Sequence, residues 1–114
     1  MLRKILKYIG FMPTIFKNFT PHAIHLNDGR VFESVGVARV SNTFTAFDDD
    51  VCKVVYGDVT GLPAPEAGVK LIVSALVLAA ATNRDDLVAP ATGHPDCVRN
   101  NGLIVSVPGF VTRG

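Results

Sequence analysis

The sequence predicts an α+β fold: a small, mostly antiparallel β-sheet or partly open barrel with one buried helix, to which the N-terminal residues add at most one short helix. Three observations predict it. Short β-prone runs alternate apolar and polar side chains, as half-buried strands do. Asn27-Asp28-Gly29 and Asn100-Asn101-Gly102 stand between such runs and mark hairpins, because Asn, Asp and Gly tolerate positive φ. A single stretch, Ala75 to Thr82, has the composition of a buried helix.

The elements follow in chain order. Met1 to Phe11 sets Leu2, Ile5, Leu6 and Ile9 at helical spacing among Arg3, Lys4 and Lys7. This segment reads as an N-terminal extension, either helical or upstream of a native start at Met12. Lys7 and Pro13 interrupt its apolar stretch and no small-residue cleavage site follows, so it does not read as an export signal. Residues 12–114 read as a single β-rich domain.

Within that domain Thr14 to Phe19 and Ala23 to Leu26 are strand-like, with Pro21 marking a bend between them. Val31-Phe32 returns from the first hairpin. Gly36 to Ser41 alternates as a half-buried strand, and Val51 to Val55 repeats the pattern after the acidic turn Asp48-Asp49-Asp50. Tyr56-Gly57-Asp58-Val59 reads as the end of that strand or a bulge.

Gly61 to Gly68 is a Pro/Gly loop that hands over to the apolar strand Val69 to Val73. Ser74 offers a side-chain oxygen as N-cap of the helix, and Asn83 suits its C-terminal cap. Asp86 to Pro90 reads as a strand ending at proline, and Ala91 to Asp96 as a loop. Val98 and Leu103-Ile104-Val105 flank the second hairpin, and Pro108-Gly109 precedes a last strand at Phe110-Val111-Thr112.

At 114 residues and 48% hydrophobic content, the chain has room for one domain with a true core. Such a domain buries roughly 65% of the surface its unfolded chain exposes, so it needs neither a metal nor a disulfide as a staple. Cys52 and Cys97 lie far apart in sequence and are expected to stay reduced, as small buried hydrophobes. The net charge is +1 and the basic residues beyond position 7 are scattered. That argues against a nucleic-acid polymer as partner, since such proteins gather cations on one face. The uncharged run Leu71 to Ala81 is far shorter than the roughly 20 residues of a membrane span and reads as core.

From Met12 onward nearly the whole chain resembles a group of short uncharacterised proteins of tailed bacteriophages and prophages. The resemblance rests on Asn18-Phe19-Thr20-Pro21-His22 and Gly36-Val37-Ala38-Arg39-Val40 in the first third. It continues through Tyr56-Gly57-Asp58-Val59-Thr60-Gly61-Leu62-Pro63, Ile72-Val73-Ser74-Ala75-Leu76-Val77 and Arg84-Asp85-Asp86-Leu87-Val88-Ala89-Pro90-Ala91-Thr92-Gly93. It implies a phage-encoded protein made in the cytoplasm of a bacterial host, and no settled activity comes with it.

No catalytic residue, metal site or cofactor is expected. His22 and His25 point to opposite faces of a strand, and His94 and the two cysteines lack ligand spacing. Ser74 has no flanking glycines and so no nucleophile elbow, which leaves the N-cap as its role. Neither a phosphate-cradling glycine loop nor a paired-carboxylate signature is present.

What remains are ligand-contact candidates. His22 sits in a turn. Arg84 stands beside Asp85 and Asp86, either of which would fix its guanidinium for an anion or merely solvate a loop. Tyr56, Thr60, Thr92 and His94 belong to or border the loops Gly57 to Gly68 and Pro90 to Asp96, where binding groups tend to sit. Arg39, Arg84, Arg99 and Arg113 would suit a nucleotide-like anion.

The first functional expectation is therefore a non-enzymatic phage accessory protein that binds a host-derived small anionic ligand or a host protein, a counter-defence role. The alternatives are a structural or assembly protein of the virion and, last, a small nucleotide-acting enzyme. Exposed strand edges add an expectation of homo-oligomers.

Overall fold

The computed structural model describes Pro13 to Arg113. The N-terminal extension, with its helical alternative and the Met12 start, lies outside the described residues. Ten strands and one helix follow in order: β1 (Ile15–Asn18), β2 (Ile24–His25), β3 (Val31–Phe32), β4 (Arg39–Phe44), β5 (Val54–Thr60), β6 (Val69–Ile72), α1 (Ala75–Ala80), β7 (Leu87–Pro90), β8 (Val98–Asn100), β9 (Leu103–Ser106) and β10 (Phe110–Val111). Among the described residues no helix is long and apolar enough to cross a membrane.

The centre is a four-stranded sheet in the order β1-β6-β7-β10. β1 pairs with β6 and β6 with β7 in parallel, while β10 runs antiparallel to β7. The broad α+β reading holds, but the sheet is not a closed barrel and its middle is parallel where an antiparallel sheet is predicted. The reason lies in β6. Leu71, Ile72 and Val73 are buried in unbroken succession, as a strand covered on both faces requires, and the helix that follows supplies the crossover a parallel neighbour needs.

α1 begins where Ser74 Oγ accepts from the Val77 amide at 3.3 Å. It buries Val77 and Leu78 against the sheet and leaves Leu76 exposed, so it covers one face rather than forming an interior rod. Its end departs from the expectation at Asn83: Ala81 is the cap residue, at φ −87°. A carbonyl left free in the last turn, that of Leu78, accepts instead from the Arg113 guanidinium, so the chain's C-terminal segment does the work assigned to asparagine.

The core gathers Val69, Leu71, Val73, Leu87 and Ala89 of the sheet region, Val77, Leu78 and Ala81 of the helix region, and Ala38. On the sheet's other face the rings of Phe16, Phe32 and Phe110 meet with centroids 4.9 to 5.9 Å apart, joining β1, β3 and β10. Three two-stranded ribbons leave this body: β2–β3, β4–β5 and β8–β9. Positive φ at Asn101 and Gly102, 52° and 78°, gives the tight turn the Asn-Gly pair predicts. Asp49 and Asp50 at φ 52° and 64° turn the β4–β5 ribbon in the same way.

The β4–β5 ribbon is longer than the sequence suggests. Tyr56 to Val59 belong to β5, which runs on to Thr60. The bulge reading at this place is also met, because the register shifts between Val40↔Val59 and Asn42↔Tyr56. Gly57 fits there for want of a side chain: a Cβ would stand 2.4 Å from Ser41 Oγ. Gly61 closes the ribbon at φ 90°, where a Cβ would lie 2.3 Å from the Val37 carbonyl oxygen. The ribbons stretch the molecule to 59 × 37 × 25 Å, with a radius of gyration of 16.9 Å. A compact chain of this length measures about 13 Å.

Candidate functional site

The Asn18-Phe19-Thr20-Pro21-His22 segment is a built polar knot. Asn18 is buried at the end of β1, and its Nδ2 donates to the carbonyl oxygens of His22 and Phe32, each at 2.8 Å. Its Oδ1 accepts from the Thr20 amide at 2.9 Å and the Thr20 hydroxyl at 2.7 Å. Both donors and both acceptor positions of the amide are thereby used. The segment folds the chain from β1 into β2, and His22 takes part through its backbone while its side chain is exposed.

The second polar cluster stands at the end of α1. Arg84 donates through Nε and Nη2 to the two oxygens of Asp86, each at 2.8 Å, and through Nη2 to the Pro63 carbonyl at 2.9 Å. The paired guanidinium holds the Asp86 carboxyl below the usual aspartate range and raises the Arg84 pKa in turn. Arg113 donates to the Leu78 and Arg84 carbonyls. Two of the arginines proposed for an anion are thus engaged as internal ties, the first pinning the proline loop to β7 and the second the C-terminal segment to the helix. Asp85, beside them, is exposed.

The third cluster is the loop after β7. Arg99 donates to the Thr92 carbonyl at 2.7 Å, and His94 Nδ1 accepts from the Asp96 amide at 3.0 Å. Asn27 of the first hairpin donates to the Asp96 carbonyl at 2.9 Å and accepts from Ser106 at 2.6 Å, which fixes the loop against β9. Arg39 and Thr60 face each other across the base of the β4–β5 ribbon, and Tyr56 lies further out on the same ribbon. The ten candidates therefore fall into four places, and the structure does not gather them into one site.

The hollows nearby are shallow. One of about 390 Å³ is lined by Gly57, Val59, Leu62, Ala81, Asn83 and Arg84. Another, of about 320 Å³, lies between Phe19, Arg39, Val40, Leu76 and Val77. Neither sets an acid, a base and a nucleophile together as chemistry on a small molecule requires. Among the described residues no three His, Cys, Asp or Glu side chains are placed to hold a metal ion, and the two cysteines are free and half-buried.

The feature that sequence reasoning passed over is apolar surface. Along β4–β5, Phe44 is 67% exposed, Val54 41%, Val55 49% and Tyr56 45%, and at the tip Phe47 reaches 75% and Val51 67%. On β8–β9, Val98, Leu103, Ile104 and Val105 are exposed as well. Contiguous exposed apolar surface is a common property of the faces by which proteins bind other molecules. Among the described residues β4 and β5 pair only with each other, a fact that the β-prone run Val51 to Val55 does not announce by itself.

The Cα partners define which face is apolar. Val40↔Val59, Asn42↔Tyr56 and Phe44↔Val54 share one face of the ribbon, and Thr43↔Val55 and Arg39↔Thr60 share the other. Val40 and Val59 pack on the core, and the same face continues outward through Tyr56, Val54 and Phe44, which no other described element covers. No family model, curated protein or solved structure matches the chain.

Proposed function

We propose that this is a non-enzymatic protein of phage or prophage type that works in the bacterial host by association, as an assembly protein, with the β4–β5 and β8–β9 ribbons as its working surfaces. The observation that carries this reading is the exposed row Phe44, Phe47, Val51, Val54 and Tyr56 on a ribbon that projects from a well-packed body. Leaving such side chains in water gains nothing for the isolated chain, whereas covering them on assembly recovers about 25 cal/mol for each Å² removed from water. The ligand-binding role has less support, because Arg84, Arg99 and Arg113 are held in internal hydrogen bonds.

Mass spectrometry of particles purified from a producing host tests the assembly role. Peptides of this chain in fixed proportion to the particle proteins are expected, and their absence contradicts the role. A thermal-shift series with nucleotides and cyclic dinucleotides tests the small-ligand role, for which no rise in midpoint is expected. A rise of several degrees, as binding to the native state alone produces, would restore it.

A further inference from the structure

We infer that the apolar face of the β4–β5 ribbon is covered by the same face of a second copy of this chain, the two ribbons running in opposite directions about a two-fold axis. The inference rests on the reading of the ribbons as association surfaces and names the partner of one of them.

Three observations select a second copy. The face carries no side chain that is charged at neutral pH: it presents Val40, Asn42, Phe44, Val54, Tyr56 and Val59, while Arg39, Lys53 and Asp58 belong to the opposite face or the bulge. A surface that must meet itself across a two-fold axis sets each charge near its own kind, so a charge-free face suits an isologous interface. Asn42 and Tyr56, its polar members, each both donate and accept, and so can pair with their own copies.

The exposure is substantial as well. On this face Phe44 is 67% exposed, Val54 41% and Tyr56 45%, apolar surface of the kind that the core of an interface covers. The charges at the two ends of the ribbon then set the direction. Asp48, Asp49 and Asp50 crowd the tip, whereas Arg39 stands at the base. Ribbons lying in the same direction bring three carboxylates against three; ribbons in opposite directions keep the two acidic tips apart.

Sedimentation velocity on the full chain over a concentration series tests the inference. The wild type is expected at twice the chain mass. Phe44→Lys combined with Val54→Lys should weaken association by roughly 100-fold or more, as losses at the centre of an interface do. Thr43→Lys combined with Val55→Lys, one position along each strand and on the other face, should leave the dimer in place. Tyr56→Ser supplies a milder change on the apolar face, and circular dichroism checks that every variant is folded. A wild type that stays at one chain mass throughout overturns the pairing of copies, while the association reading then stands or falls on the particle measurement alone. Equal loss of association from the two opposite faces overturns the assignment of the face.

Discussion

β6 and β5 are made of the same kinds of residue and live in opposite surroundings. β6 and the residue after it, Val69 to Val73, bury every apolar side chain, with Ile72 and Val73 fully enclosed. β5 holds Val54, Val55 and Tyr56 almost half exposed on a ribbon of two strands. The difference teaches that alternation and β-propensity settle whether a segment is a strand, while what covers the strand depends on the rest of the chain or on another chain.

The comparison is broken most severely at the body. Asn18→Ala should cost about 3 kcal/mol, because it leaves the part-buried carbonyls of His22 and Phe32 and the Thr20 amide without their partners. Urea unfolding measures it, and a loss under about 1 kcal/mol would show that water replaces the amide. Leu71→Ala follows at about 3 kcal/mol from lost burial and the cavity left behind, while Val54→Ala on the ribbon should change the stability of the monomer by less than about 0.5 kcal/mol. A similar cost at both positions would mean that the ribbon is covered within its own chain.

Gly61→Ala sharpens the joint between the two regions. At φ 90°, with a Cβ driven against the Val37 carbonyl, it should destabilise by about 2 kcal/mol and loosen the ribbon base.

A smaller effect is expected from Asp86→Asn, about 1 to 2 kcal/mol near neutral pH from weakening the pair with Arg84. The folded carboxyl titrates below its ordinary 3.8, so the unfolded chain binds the extra proton first as acid is added. The stabilisation is full above the unfolded value and disappears as the pH falls through the folded one. The gap between wild type and variant in unfolding experiments should therefore close below about pH 4, the unfolded aspartate value. The smallest effect belongs to Val55→Thr on the outer face, which should alter neither stability nor association.

Where a local rule governs, the sequence is legible. Asn27-Asp28-Gly29 and Asn100-Asn101-Gly102 turn as their φ tolerance requires, Ser74 caps the helix, and β7 ends at Pro90. Where a distant partner decides, it is not. The parallel middle of the sheet depends on β1 lying beside β6, a pairing that no turn encodes. The helix has its C-cap at Ala81, and the Leu78 carbonyl of its last turn is met by Arg113 from 35 residues away in sequence. The same division runs through the candidate site: the pairing of Arg84 with its neighbour Asp86 is legible, whereas the Pro63 and Thr92 carbonyls that meet Arg84 and Arg99 are not. The exposure of Phe44 and Tyr56 is not legible either, because nothing in their own strands says that the packed body stops at Val40 and Val59.

Hydrogen exchange followed by mass spectrometry, read peptide by peptide at high and low protein concentration, tests most directly the claim that the body folds on its own while the β4–β5 ribbon needs a second copy. Slow exchange across residues 39–60 that becomes fast on dilution, with the central sheet unchanged, is the predicted result. Exchange across that ribbon that is independent of concentration would contradict it.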